Sequence, residues 1–260
     1  MTRVLSGAAL VLLAVGLVWF APRFLFIAAA CILEILAFGE YMQIARAHDT
    51  PIPGAVGAAT VITTLAFVGS GAVSLDVVLL SIVVAIGTLV LPGWRGGHDA
   101  LPRAGASLLP ILYLGLPIGT LVALRETRGP QGLFLLMLTV MVSDTAQYYT
   151  GRVFGKRPLA PAISPKKTIE GAAGGFVFGT ALLAIGGRWW LPDVPMSLRI
   201  ALGLAIVALG IAGDLFESML KRSAGVKDSS TLIPGHGGVL DRIDALLFAA
   251  PIYYVVLKYV

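Results

Sequence analysis

The chain has 260 residues, of which 57% are hydrophobic and only 13% charged, and its mean hydropathy is +0.90. A soluble domain is nearer to about 45–50% apolar and about 25% charged, so this composition excludes an ordinary soluble protein. The net charge of +5 then indicates orientation in a membrane and contact with anionic lipid headgroups, with no nucleic-acid partner.

Apolar runs of roughly the 20 residues that a helix needs to cross a bilayer follow one another along the chain. They predict an all-α fold, a polytopic integral membrane protein with about nine transmembrane helices. The first run also resembles a signal peptide, but an uncleaved span is favoured because the remainder of the chain is membrane-embedded too. The runs cover residues 1–20, 24–45, 55–69, 72–91, 104–124, 132–151, 169–187, 198–220 and 240–260.

The runs divide the chain into an N-terminal group of about five spans, residues 1–130, and a C-terminal catalytic group of about four, residues 131–260. Of the 19 Lys and Arg residues, 13 lie on the side of the N-terminus when the spans alternate. The positive-inside rule therefore predicts a cytoplasmic N-terminus and two cytoplasmic loops, 152–167 and 221–239. We expect a multi-pass protein of the cell's inner (plasma) membrane whose active site faces the cytoplasm.

Two features within the spans predict how the helices bend and pack. Pro110 and Pro117 remove helix hydrogen bonds and are expected to kink the fifth span. Gly171, Gly175 and Gly179 recur every four residues and let a neighbouring helix approach closely. Such small-residue faces are equally compatible with internal packing and with a homodimer.

Acidic and basic residues share one face of the eighth span. Asp214, Glu217, Ser218 and Lys221 lie at offsets of three, four and seven, which places them together on a helix. Carboxylates inside a bilayer are costly and normally face a partner, a cavity or an ion. This face therefore marks a candidate site.

The last span begins with a second acidic pair, Asp241 and Asp244. Two acidic pairs joined by a basic loop predict a site for Mg²⁺, which takes oxygen ligands and bridges carboxylates to phosphates. The alternative is a structural ion-pair network with Lys221, Arg222 and Arg242. Asp144, near the end of the sixth span, is either a third acidic contributor or a hydrogen-bond partner between helices.

The loop between these two spans is suited to binding phosphate groups. Lysine and arginine form charge-assisted bonds to phosphoryl oxygens, and glycines let backbone N–H groups approach them. His236 is either a ligand or phosphate contact here, or an ordinary loop histidine. The candidate residues of the loop are Lys221, Arg222, Lys227, Asp228, His236, Gly237, Gly238 and Arg242.

The other cytoplasmic loop ends in hydroxyls and lysines at a helix entrance: Ser164, Lys166, Lys167 and Thr168. An anionic phosphate suits this position because the free N–H groups and the helix dipole both favour negative charge. Thr168 is also suited to cap the helix, and the two roles are compatible. No role follows from the sequence for Glu34 and Glu40.

Residues 218–244 resemble the signature of the phosphatidate cytidylyltransferases (CDP-diacylglycerol synthases). That signature is a Ser, then Lys-Arg, then Lys-Asp, then His-Gly-Gly and Asp-Arg-x-Asp at fixed spacing. The matching residues are Ser218, Lys221-Arg222, Lys227-Asp228, His236-Gly237-Gly238, Asp241-Arg242 and Asp244. Further matches lie upstream at Ser143-Asp144-Thr145, Gly151-Arg152, Phe154-Gly155 and Ser164-Pro165-Lys166-Lys167-Thr168.

The resemblance implies an integral membrane nucleotidyltransferase that converts CTP and phosphatidic acid into CDP-diacylglycerol and pyrophosphate in phospholipid biosynthesis. It implies Mg²⁺ as cofactor together with a second, monovalent cation such as K⁺, and membrane lipids as partners. Asp214, Asp241 and Asp244 correspond by position to the family's metal-site carboxylates, with Ser218 close by. The lysines and Arg222 would then hold the triphosphate and the departing pyrophosphate.

Two other functions stay open at this stage. A related CTP-dependent transferase or lipid kinase would use another lipid acceptor. A secondary transporter would use the intramembrane acids as coupling sites, but it predicts groups near mid-bilayer and an inverted repeat. Here the acids cluster towards one face and the first half has no counterpart, which favours the transferase.

Overall fold

The computed structural model describes residues 2–50, 52–68, 74–93, 99–233 and 235–260. The turn predicted at residues 70–71, residues 94–98 of the following polar loop, and Pro234 of the signature lie outside the described residues. The rest of the chain is helical apart from short connections and one small hairpin.

Every predicted apolar run forms helix in its described part, which confirms an all-α, polytopic membrane protein. Among the described residues, four helical stretches are long and apolar enough to cross a membrane: Arg23–Ala47, Ala100–Phe154, Ile169–Trp190 and Met196–Ser223. The total of about nine spans stays a prediction. The helices are α1 Thr2–Phe20, α2 Arg23–Ala47, α3 Ala55–Ala66, α4 Leu75–Val90, α5 Ala100–Pro110, α6 Leu116–Phe154, α7 Ile169–Trp190, α8 Met196–Ser223 and α9 Leu240–Lys258.

The fifth and sixth predicted spans form one long helical stretch with two local irregularities. A π-helical turn, Ile111–Gly115, lies between Pro110 and Pro117 and joins α5 to α6. Gly129 has φ 69° and ψ −178°, which interrupts α6 before Pro130 restarts it. The break between the two spans is therefore one residue wide, because glycine adopts a conformation that other residues avoid.

The basic loop predicted at residues 152–167 contains a β-hairpin. α6 continues to Phe154, and strands β1 Pro158–Ala160 and β2 Ser164–Thr168 then pair antiparallel, with Pro158 opposite Thr168. Glu170 accepts hydrogen bonds from the backbone N–H groups of Lys156 (3.0 Å) and Arg157 (3.2 Å). These bonds fix the base of the hairpin against the start of α7.

α9 packs at the centre of the molecule. Its N-terminal half, including Leu240 and Leu247, is buried with residues of α2, α4 and the π turn. Its C-terminal half packs with α6, α7 and α8, where the ring of Tyr253 is fully buried and its hydroxyl donates to the carbonyl of Gly132 (3.2 Å). The position of the signature residues at the start of α9 is therefore set by both halves of the chain.

Arg128 connects three elements at the end of the helix bundle opposite to the signature residues. Its Nε donates to the carbonyl of Leu257 (3.2 Å), and its guanidinium also pairs with Asp193 in the connection between α7 and α8. The hydrogen bond from Arg128 holds the pKa of the Asp193 carboxyl below its ordinary value. This contact joins α6, α9 and the α7–α8 connection.

The predicted close approach at the α7 glycines is confirmed. A Cβ at Gly175 would lie 2.6 Å from Gln147 Cγ, and one at Gly179 would lie 2.6 Å from Val207 Cγ2. At Gly171 the nearest atom would be the backbone oxygen of Gln147, at 2.7 Å. α7 therefore packs closely on α6 at Gly171 and Gly175, and on α8 as well at Gly179.

Gly171→Ala is expected to destabilise the protein, because the added methyl group meets a backbone atom that a rotamer change cannot move. The expected loss is about 1–3 kcal/mol, measured as a lower apparent melting temperature in detergent micelles. Gly87→Ala is the matched control, since a Cβ there meets nothing within 4 Å. Equal melting temperatures for the two variants would contradict the close packing.

Candidate functional site

Lys221 lies between two buried carboxylates at the cytoplasmic end predicted for α8. Its ammonium forms ion pairs with Glu217, one turn earlier on α8, and with Asp241 at the start of α9. The Glu217 side chain is fully buried and Lys221 is only 8% exposed. These three residues form part of the ion-pair network that the sequence left as an alternative; among the ion pairs of the described residues, Lys221 takes part in it and Arg222 and Arg242 do not.

Asp241 also holds the signature loop that connects α8 to α9. Its Oδ2 accepts from the backbone N–H of Ser229 (3.1 Å) and of Gly238 (2.7 Å), and it lies 2.9 Å from Ser229 Oγ. Both carboxylate oxygens are thus engaged, one by Lys221 and one by the two arms of the loop.

The two glycines after His236 fit this tight closure. Gly237 has φ +76°, and a Cβ there would lie 2.5 Å from Asp241 Oδ2. A Cβ at Gly238 would lie 2.0 Å from Ser229 Oγ and 2.4 Å from a carboxylate oxygen of Glu40. Both positions require glycine for the loop to close, and their predicted contact with phosphate stays a prediction.

Glu40 of α2 is the functional residue that sequence reasoning missed. It is 3% exposed and accepts hydrogen bonds from the Ser229 and Ser230 hydroxyls (2.8 and 2.7 Å). It also accepts from the backbone N–H groups of Val239 (2.9 Å) and Leu240 (2.8 Å) at the N-terminus of α9. The available signal was an acid inside an apolar run, which normally has a partner.

A second acidic group lies where α6, α8, α9 and the hairpin meet. Lys167 of β2 pairs with Asp214 of α8 at 2.5 Å, and Ser218 Oγ donates to Asp214 (3.3 Å). The carboxylates of Asp144 on α6 and Asp244 on α9 both interact electrostatically with Asp214. The structure thus brings together four predicted residues from four elements, and Lys167 is the cation among them.

The carboxylate oxygens of this group are the type of ligand that a hard cation prefers, but they do not form a complete coordination shell. Within the described part of the chain, no three acidic, histidine or cysteine side chains stand at ligand spacing. Asp144, Asp214 and Asp244 nevertheless supply oxygen ligands only, and their mutual repulsion is opposed by Lys167 and, at Asp244, by Lys221. Mg²⁺ commonly takes one or two carboxylates and completes its shell with substrate phosphates and water.

His236 is held by the first helix. Its Nδ1 lies 2.9 Å from Ser6 Oγ, and a Cβ at Gly7 would lie 3.3 Å from its Nε2. This packing accounts for the histidine without a ligand, so its role as a phosphate contact stays a prediction.

The remaining predicted residues lie at the surface, on the hairpin, on the loop between α8 and α9, or at the helix ends beside that loop. Lys166, Arg222, Lys227, Asp228 and Arg242 are exposed, and Arg222 donates to the carbonyl of Val226 (3.3 Å).

The hairpin residues Ser164 and Thr168 have structural positions. Ser164 stands opposite Ala160 in the β1–β2 pair. The Thr168 hydroxyl accepts from the backbone N–H of Gly171 (3.0 Å), which confirms the predicted cap of α7. The base of the hairpin is therefore fixed, and the hairpin positions Lys167 beside the acidic group.

Comparison with known proteins agrees with this arrangement. The model of the cytidylyltransferase family matches residues 1–260. The phosphatidate cytidylyltransferase of Haemophilus influenzae is 48% identical over 129 residues, covering 47% of this chain and 45% of the relative. That of Aquifex aeolicus is 40% identical over 149 residues, covering 56% and 54%.

The aligned part of the chain thus spans about half the length of these two relatives. The phosphatidate cytidylyltransferase of Bacillus subtilis is 30% identical over 265 residues, covering 98% of this chain and 96% of the relative. Because the family model and this alignment cover essentially the whole chain, the protein belongs to the cytidylyltransferase family.

Proposed function

We propose that the protein is a phosphatidate cytidylyltransferase, which transfers CMP from CTP to phosphatidic acid. The observation that carries this proposal is the ion pair between Lys167 of the hairpin and Asp214 of α8, which joins two of the predicted site residues from separate parts of the chain. The membership in the cytidylyltransferase family and the names of its relatives support the same reaction.

The reaction joins two anionic partners. An oxygen of the lipid phosphate attacks the α-phosphorus of CTP, and the bond from that phosphorus to the oxygen bridging to the β-phosphate breaks, so that pyrophosphate leaves with the electron pair. The attacking oxygen is already ionised at neutral pH, and no general base is needed. Catalysis then consists mainly of positioning and of charge neutralisation around the α-phosphorus.

The basic side chains supply that neutralisation. Lys167 pairs with Asp214, and Lys166 of β2, Arg222 at the end of α8 and Arg242 at the start of α9 are exposed. Charge-assisted bonds from these groups suit phosphate oxygens. Lys221 is committed to Glu217 and Asp241, so we assign it to holding the site together.

We assign the metal to one or two carboxylates of the group Asp144, Asp214 and Asp244, with substrate phosphates and water completing its shell. A bound Mg²⁺ would neutralise phosphate charge that these carboxylates would otherwise repel. Asp241 is less suited as a ligand because both of its oxygens accept hydrogen bonds from the loop and Lys221. A second, monovalent cation such as K⁺ stays a prediction.

The position of the site suits substrates from two phases. The protein is an integral membrane protein, and the excess of Lys and Arg on the side of both loops supports a position of these loops at the cytoplasmic face of the inner membrane. CTP then enters from water, while the lipid keeps its acyl chains in the bilayer.

The first prediction concerns the reaction itself. Purified protein in lipid–detergent micelles is expected to form CDP-diacylglycerol from radiolabelled CTP and phosphatidic acid with Mg²⁺, and to stop when EDTA removes the metal. Thin-layer separation of the labelled lipid measures the product. Turnover of CTP with another lipid acceptor alone would contradict the assignment of the substrate.

The acidic groups are expected to respond differently to substitution. Asp214→Asn and Asp244→Asn should lower turnover by about a hundredfold or more, the order seen when an electrostatic contact to a transition state is lost. Their melting temperatures should stay close to that of the unmodified protein. Asp241→Asn should lower both turnover and melting temperature, because the loop and buried Lys221 lose a partner. Full activity in Asp214→Asn or Asp244→Asn would remove that residue from the site.

Glu40→Gln is expected to lower both stability and turnover. The substituted amide places an N–H₂ group against N–H and hydroxyl donors, and an unsatisfied buried group costs about 1–3 kcal/mol. Melting temperature and initial rate in micelles measure the two effects. Asp99→Asn is the control, since Asp99 forms an exposed pair with Arg103 that contributes about 0–1 kcal/mol. A Glu40→Gln protein as stable and active as the control would exclude this role.

A further inference from the structure

A cleft of about 690 Å³ lies between α2 and the signature loop, outside the acidic group of Asp144, Asp214 and Asp244. One wall is a face of α2, and the other is the loop segment 226–232. Its lining consists of Ile35, Leu36, Gly39, Glu40, Gln43, Val226, Lys227, Asp228, Ser229, Ser230, Thr231 and Leu232.

The α2 wall of the cleft changes from apolar to polar along the helix axis. Ile35 and Leu36 are 57% and 40% exposed on a helix that is long and apolar enough to cross the membrane. Glu40 and Gln43 follow towards the C-terminal end, which the charge distribution places near the cytoplasm. At 1.5 Å per residue, Ile35 and Gln43 are about 12 Å apart along the axis. The cleft is therefore amphipathic along the direction of the membrane normal.

The loop wall of the cleft carries a lysine that is suited to an anion. Lys227 is exposed, and in the part of the chain that the structure describes it forms no ion pair. Asp228 lies in the same lining, whereas the charge of Glu40 is engaged by the loop and the α9 N-terminus. A lysine on a flexible stem is a common phosphate contact.

Gly39 keeps the middle of the cleft open. A Cβ at this position meets nothing within 4 Å, so the space beside the helix is empty. Glycine inside a helix costs about 0.5–1 kcal/mol relative to alanine. Its presence here leaves a passage between the apolar and polar ends of the cleft.

We propose that this cleft binds the phosphatidic acid substrate, with an acyl chain against Ile35 and Leu36 and the phosphate monoester near Lys227. The proposal rests on the proposed function and adds the place of the lipid to it. It moves Lys227 from the nucleotide phosphates, where the sequence put it, to the lipid phosphate.

The cleft meets the hydrogen-bond network of the signature loop at Ser229. This residue lines the cleft, and its hydroxyl lies within hydrogen-bond distance of both Glu40 and Asp241. A lipid headgroup at the polar end is therefore next to the loop that Asp241 holds. The acidic group begins one helical turn further along α9, at Asp244.

Gly39→Leu tests the proposal by filling the cleft without a clash. The half-saturating mole fraction of phosphatidic acid in mixed micelles is expected to rise about tenfold, the order for losing contact with about two methylene groups. The half-saturating CTP concentration should not change. Gly87→Leu is the matched control, since a Cβ at Gly87 also meets nothing within 4 Å. An unchanged requirement for phosphatidic acid, or an equal rise for CTP, would overturn the proposal.

A photolabelling experiment separates the lipid site from the reaction. Phosphatidic acid with a diazirine in its acyl chain, incorporated into phosphatidylcholine vesicles with the unmodified protein, should label peptides containing Ile35, Leu36 or Leu232. Unlabelled phosphatidic acid should compete, and inorganic phosphate or CTP should not. Labelling at the cleft without CTP turnover would reject the proposed function and keep the lipid site. Turnover with labelling only elsewhere would do the reverse.

Discussion

Two buried carboxylates hold the signature loop from opposite sides, and the arrangement of the site depends on them. Glu40 accepts four hydrogen bonds from the loop and from the start of α9, while Asp241 binds the two arms of the loop and Lys221. Unpaired N–H groups are costly in apolar surroundings, so these acceptors decide where the loop can lie. Glu40 stands 200 residues before Leu240, so the N-terminal helices help to build a site whose recognisable motif lies in the C-terminal half.

The acids differ in how far their charge is compensated. Glu217 and Asp241 share Lys221, and Asp241 also takes backbone donors, so this group is rigid and has little capacity left for a ligand. Asp144, Asp214 and Asp244 interact with one another and have Lys167 as a counter-charge. An excess of negative charge is costly in a protein unless a cation joins it. The signature therefore contains carboxylates that are fully engaged by the protein as well as carboxylates whose charge is less compensated.

The sequence predicted the features that depend on local periodicity. The apolar runs gave the helices, the four-residue spacing of Gly171, Gly175 and Gly179 gave the α6–α7 contact, and Thr168 gave a helix cap. It missed features that depend on distant partners. The hairpin strands have three and five residues without an apolar alternation, and Glu170 fixes them from the next helix. Glu40 lies far in sequence from its partners, and His236 lies far from Ser6. The spacing of residues therefore carries no signal for these contacts.

Aromatic rings pack into an apolar layer beside the acids. This layer strengthens the electrostatic interactions of the carboxylates. Tyr113 belongs to the π-helical turn, and its ring packs edge-on against Phe216 of α8 (5.3 Å between centroids) and Phe248 of α9 (6.1 Å). Asp214 lies two residues before Phe216, and Asp244 lies four residues, about one helical turn, before Phe248. Packed rings exclude water, and charges interact more strongly where the local dielectric is low. The irregular turn between Pro110 and Pro117 therefore matters for the candidate site. It positions the Tyr113 ring between the charged groups and the interior of the helix bundle.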